Sequence, residues 1–146
     1  MLRTIKIIAA LFAASLTLTS ARAETNPQIV CIAQSMYHEA RGEPEKGMIA
    51  VGNVVMNRTK SGKFPTTPCA VINQRYRKSC QFSWVCARKP IRELPLYNRE
   101  LRLARLVYTY SIQDVTHGAL FFHARTDRPS RMYVTASIGN HTFYRG

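Results

Sequence analysis

The stretch NPQIVCIAQSMYHEARGEPEKGMIAVGNVVMNRTKSG, residues 26–62, reads as two helices and the corner between them. Asn26-Pro27 is a start signal, because asparagine accepts from free first-turn amides and proline is already set for the first helical turn. Ile29, Ile32, Ala33, Met36 and Ala40 then recur at three- and four-residue spacing and make one apolar face. Gly42 suits the left-handed residue that ends a helix, so the first helix is predicted over residues 27–41. Pro44 opens the second helix. Its residues Met48 to Met56 are apolar on nearly every side until Arg58 and Lys60, with Gly62 as the stop, which marks a buried central helix.

Beyond this pair, Thr67-Pro68 starts a short third helix running to about Asn73, and Arg75 to Lys89 reads as a basic, irregular loop. Pro95 opens a fourth helix with Tyr97, Leu101, Ala104 and Tyr108 on one face and Arg99, Arg102 and Arg105 on another, solvated one. From Gly118 the period changes. Residues 119–123 read as a strand, and Gly139-Asn140 as a tight turn feeding a second strand, His141 to Tyr144. Helices first and a short antiparallel sheet near the C-terminus indicate a mainly helical α+β domain, without internal repeats.

In the other direction the chain begins with Arg3 and Lys6, an apolar run from Ile7 to Leu18, and Ala21-Arg22-Ala23, the order of an export signal cleaved after Ala23. The run is too short for a membrane span, which needs about 20 residues. A signal over residues 1–23 leaves one domain over residues 24–146, exported to a periplasm or to the medium. Arg3, Lys6 and Arg22 depart with the signal, so the 21 lysines and arginines fall to 18 against 8 carboxylates, a net +10. Such a field favours polyanionic partners outside the cytoplasm, among which specific nucleic acid is not expected. Cys31, Cys69, Cys80 and Cys86 form an even set in an exported chain and imply two disulfides, with three pairings open. The preferred set is Cys80 with Cys86 around Phe82-Ser83-Trp84, leaving Cys31 with Cys69.

Carboxylates are few enough to weigh singly. Glu39 lies in the last turn of the first helix, where the negative dipole end and an apolar face both disfavour ionisation and favour the protonated form that a general acid needs. Glu43 and Glu45 sit at the start of the second helix and read as caps. Glu93 and Glu100, in the basic stretch around the fourth helix, take the same structural reading, and Asp114 and Asp127 flank turns. His38, His117, His123 and His141 have no metal-site spacing, and no Cys-x-x-Cys pair occurs, so neither metal nor cofactor is expected. No Gly-x-Ser-x-Gly elbow, phosphate loop or dinucleotide fingerprint is present.

His38-Glu39-Ala40-Arg41-Gly42-Glu43-Pro44, then Gly47, Ala50-Val51, Asn53-Val54-Val55 and Asn57-Arg58, resembles the signature of the SleB/CwlJ-type cell-wall hydrolases. The resemblance continues through Phe64-Pro65, Cys69, Val71-Ile72, Gln81-Phe82-Ser83-Trp84, residues 118–123 and residues 138–144. It implies a small lysozyme-like domain, related to lytic transglycosylases, acting on the bond from N-acetylmuramic acid to N-acetylglucosamine in peptidoglycan glycan strands. The catalytic glutamate of that family falls on Glu39.

The expected chemistry is protonation of the departing glycosidic oxygen by Glu39, after which the same carboxylate takes the proton of the muramic 6-hydroxyl and a 1,6-anhydro end forms. Gln81, Ser83, His123 and Tyr144 are candidates for hydrogen bonds to N-acetyl groups or to the developing oxocarbenium, and Trp84 for stacking on a sugar. The alternatives are a hydrolytic muramidase with Asp114 or Asp127 as second carboxylate, an amidase, and a basic wall-binding module without activity. A monomer is expected.

Overall fold

The structure is a computed structural model and describes residues 26–127 and 132–146. The signal expected over residues 1–23 lies outside the described residues. Among the described residues are five helices, α1 (Pro27–Glu39), α2 (Glu45–Lys60), α3 (Pro68–Ile72), α4 (Ser83–Cys86) and α5 (Leu94–Thr109), and five short strands, the first two between α3 and α4 and the last three after α5. These are β1 (Arg75–Tyr76), β2 (Ser79–Cys80), β3 (Phe121–Ala124), β4 (Tyr133–Ile138) and β5 (His141–Arg145).

Asn26 caps α1 through its side chain, accepting from the Gln28 amide at 2.9 Å, with Pro27 in the first turn. The helix stops at Glu39, two residues short of the sequence expectation, because Ala40 already leaves helical geometry and Gly42 turns the chain at φ +85°. Residues 40–44 form the corner. From it α2 runs through the centre of the domain with Met48, Val51, Val54 and Val55 buried.

Ile32 and Met36 of α1, Val51 and Val55 of α2, Val71 and Ile72 of α3 and Leu103, Ala104 and Val107 of α5 form one core, to which Phe82 and Trp84 belong. Each large side chain so buried contributes roughly 1.5–3 kcal/mol. Cys31–Cys69 ties α1 to α3, and Cys80–Cys86 closes the segment around α4. That second bridge shapes the region expected as an irregular loop: residues 75–80 form a small antiparallel hairpin, and residues 83–86 one helical turn.

The larger sheet has the antiparallel order β3-β5-β4, with Phe121 opposite Tyr144 and His123 opposite Thr142. β4 was not read from the sequence, since Tyr133 and Val134 are exposed and its apolar residues do not alternate cleanly. One sheet face carries Phe122, Ala136, Ile138 and Phe143 and packs on Ala50 and Val54 of α2. By strand alternation Phe121, His123, Thr142 and Tyr144 occupy the other face.

Polar residues of α2 fix where this sheet begins. Asn57 donates to Asp114 Oδ2 at 2.9 Å and to the Ala119 carbonyl at 3.1 Å, and Asn53 accepts from the Val115 amide at 3.2 Å. Asp114 also accepts from the Thr116 amide and hydroxyl and from the Gly118 amide. Burial opposes its charge, but these hydrogen bonds prevail and hold its pKa below the ordinary carboxylate value. No helix among the described residues is long and apolar enough to cross a membrane.

Candidate active site

Glu39 is the last residue of α1 and is half-buried where α1, α2 and α4 meet. Burial raises its carboxyl pKa above the usual glutamate value. The rise is held back by the Trp84 indole and by the positive charges of Lys89 and Arg58. The Trp84 N–H has no hydrogen-bond acceptor at normal geometry among the described residues, yet it lies close enough to Glu39 to favour the ionised form. A carboxyl in this position can hold a proton, release it, and have the resulting charge received by neighbouring donors.

Arg58 is 3% exposed at the end of α2. Its Nε donates to the Leu120 carbonyl at 2.7 Å, and its guanidinium lies 4.8, 5.5 and 5.7 Å from the rings of Phe64, Phe82 and Phe121. Desolvation lowers its pKa to about 10, with Glu39 acting in the opposite sense, so it remains a cation at neutral pH. The sequence reading placed Arg58 only in the family signature and at a helix end. The signal that could have found it is an arginine directly following a hydrophobic, buried helical run, in a chain rich in phenylalanine.

Of the residues expected to contact sugar, Trp84 stands beside Glu39. It is 7% exposed, and one face is covered by His38 at a centroid distance of 4.5 Å, so its indole edge rather than a free face is turned to the acid. Burial first, then Lys89 and Arg41, keep the His38 pKa low, so it stacks as neutral imidazole. Gln81 and Ser83 flank Phe82 and are exposed, at the entry to α4. His123 and Tyr144 are neighbours on the outward sheet face, ring to ring at 5.8 Å. Tyr144 is itself 2% exposed, with its hydroxyl 3.4 Å from the Asp127 carbonyl oxygen.

Two carboxylates differ from their sequence reading. Glu43 does not cap α2. Its Oε2 accepts from the Asn140 amide at 3.0 Å in the β4–β5 turn, and a Cβ on Gly139 (φ +57°) would collide with that oxygen. Glu100, read as a structural helix-end residue, instead has no exposed surface and no hydrogen-bond partner among the described residues, because α5 packs its buried face against α1. The described histidines, cysteines and carboxylates gather nowhere in a group of three able to hold a metal ion.

The cell wall hydrolase family model matches residues 42–144. The spore cortex-lytic enzyme of Bacillus subtilis is 44% identical over 48 residues, 33% of this chain and 16% of that protein. The spore cortex-lytic enzyme of Oceanobacillus iheyensis is 48% identical over 44 residues, again 16% of its length, so the aligned segment spans a small part of these relatives. Among solved structures, the catalytic domain of the germination-specific lytic transglycosylase SleB from Bacillus anthracis superposes with a TM-score of 0.63 at 25% identity, covering 85% of this chain and 98% of that one. The catalytic domain of SleB from Bacillus cereus gives 0.62 at 26% identity, covering 81% and 89%. The family match over most of the domain, with a shared fold along nearly the whole length of two SleB catalytic domains, establishes that this chain belongs to the cell wall hydrolase family.

Proposed function

We propose that this protein is an exported lytic transglycosylase that cleaves the N-acetylmuramic acid to N-acetylglucosamine bond of peptidoglycan, with Glu39 as the sole acid and base. The observation that carries this reading is the state of the carboxylates. Glu39 is half-buried and protonation-prone, whereas Asp114 is saturated by donors, Glu43 is bonded to Asn140, Glu93 pairs with Arg41 at 2.7 Å, Glu100 is sealed from solvent, and Glu45 and Asp127 are exposed, without the burial that favours the protonated form of Glu39. A hydrolytic scheme needs a second carboxylate to activate water. A single acid suffices when the muramic 6-hydroxyl is the nucleophile.

In this scheme Glu39 gives its proton to the departing oxygen and so becomes an anion facing Arg58, Lys89 and the Trp84 N–H. It then accepts the 6-hydroxyl proton as that oxygen closes on the anomeric carbon. Gln81 and Ser83 on one side and His123 and Tyr144 on the sheet supply polar contacts for N-acetyl groups, and Trp84 braces the acid. The paired cysteines support a working place outside the reducing cytoplasm, in a periplasm or beyond it. The protein acts as a monomer without a cofactor.

The test is digestion of purified sacculi with the wild-type protein and Glu39→Gln in parallel, with soluble products resolved by mass spectrometry. Wild type should release 1,6-anhydro muramic ends, and Glu39→Gln should lose on the order of a hundredfold or more in rate. Reducing muramic ends or freed stem peptides would overturn the proposal in favour of hydrolysis or amidase chemistry. A fully active Glu39→Gln protein would remove Glu39 from the chemistry.

A further inference from the structure

Near the acid in the chain lies a cavity of whose lining residues only Lys89 enters the proposed glycan chemistry. It measures about 320 Å³ and is lined by Tyr37, His38, Arg41, Lys89, Pro90 and Arg92. That is the lower end of the range of ligand clefts, about 300–1,000 Å³. Two of its lining residues, His38 and Arg41, flank Glu39 in the chain, and a third, Lys89, acts electrostatically on both His38 and Glu39, which sets the cavity next to the acid. Its wall is built in place. The Tyr37 hydroxyl accepts from the amides of Arg92 and Glu93, each at 3.1 Å, and the Lys89 amide donates to the Trp84 carbonyl at 3.1 Å.

The charges in this cavity are unbalanced. Arg41 is paired with Glu93, but neither Lys89 nor Arg92 has an ion-pair partner among the described residues, and His38 is held neutral. Two free cations converge on a small space next to a sugar-cleaving acid. The matching feature of the proposed substrate is the peptide attached to the muramic lactyl group, which carries free carboxylates close to the scissile bond. Resting on the reading of the preceding section, we propose that this cavity is a subsite for a carboxylate of the stem peptide, and that it makes the enzyme prefer peptide-bearing glycan strands over denuded ones.

The test compares initial rates on sacculi and on the same strands stripped of peptides by an amidase, counting new glycan ends by liquid chromatography and mass spectrometry. The full-length protein is used, and the readout is the ratio of the two rates. Wild type should favour peptide-bearing strands. Arg92→Gln should lower the ratio about fivefold, the most an exposed charge pair ordinarily contributes, and Arg92→Glu should lower it further. Arg92→Lys should restore it, and amidation of the stem carboxylates should reduce the wild-type ratio as the variant does. A ratio equal in wild type, Arg92→Gln and Arg92→Glu, with both substrates cleaved, would overturn the subsite while leaving the glycosidase reading intact. No new glycan ends on either substrate with wild type would instead strike at the glycosidase reading itself.

Discussion

Replacing Glu100 with glutamine should make the protein more stable at alkaline pH and leave its stability comparatively unaffected at acid pH. Glu100 has no exposed surface and neither oxygen has a hydrogen-bond partner among the described residues, so its charge is costly in the folded state. Desolvation raises its pKa from 4.5 to about 7, with Arg99 opposing, Glu93 adding and Arg41 opposing. In the unfolded chain the carboxyl ionises near its ordinary value. The folded state therefore holds a proton that the unfolded state has released, and stability falls as pH rises from 4.5 to about 7, then levels off. At about 1.4 kcal/mol per tenfold change in protonation, the full loss is about 3 kcal/mol. The charges of Arg99, Glu93 and Arg41 act on it from nearby surface positions, and screening there reduces a workable figure to about 2 kcal/mol. For a domain of this size that corresponds to a melting shift on the order of 8 °C. The assay is thermal unfolding of both proteins, disulfides intact, from pH 4 to pH 8. The change of their difference with pH isolates Glu100, because the other titrating groups cancel and the cost of burying an amide is the same at every pH. A difference that stays flat across that window would refute the claim of an isolated buried carboxyl.

Two further predictions concern the acid and the bridges. Because catalysis needs Glu39 protonated at the start, kcat/KM on glycan strands should fall on the alkaline side as it ionises. Lys89→Gln removes a charge that pulls this pKa down, so the alkaline limb should move to higher pH, and an unmoved limb would disconnect Lys89 from the acid. Removing Cys31–Cys69, which spans 38 positions, should cost about 4 kcal/mol on chain-entropy grounds, against about 2 kcal/mol for Cys80–Cys86, which spans 6. Paired Cys→Ala variants in urea titrations measure both. The reverse order of stabilities would show that native packing, rather than the unfolded chain, decides their contributions.

All the described helices but α4 were legible because their signals are local: a cap at Asn26, a proline at the start of each of the four, and apolar spacing that one face must bury. The place of Glu39 at the end of the first helix was legible for the same reason, since the helix end and the apolar face lie within one turn of sequence. What escaped the reading depends on partners far along the chain. Glu100 looks like any charged helical residue until α1 is laid over it, and Arg58 like a solvated helix end until Phe64, Phe82 and Phe121 close around it. β4 was missed because much of what holds it is its pairing with β5, and a strand with two exposed apolar residues at its start carries little pattern of its own.

The two glutamates of the Glu-Ala-Arg-Gly-Glu-Pro signature divide the work of the site between them. Glu39 ends α1 and is the acid of the proposed scheme. Four residues later, after Gly42 has turned the chain, Glu43 reaches across to the Asn140 amide between β4 and β5. Its amide bonds back to the Ala40 carbonyl at 3.0 Å, so the tether to the sheet and the end of the acid's helix are one rigid corner. The other end of the sheet is held by Asn57 and Arg58 through the Ala119 and Leu120 carbonyls. A glycan strand lying between α1 and the outward face of β3 and β5 would thus meet an acid and a wall whose separation is fixed at both ends of the sheet. Fixing that separation is how an enzyme with one catalytic carboxyl can keep it within proton-transfer reach of two different oxygens in turn.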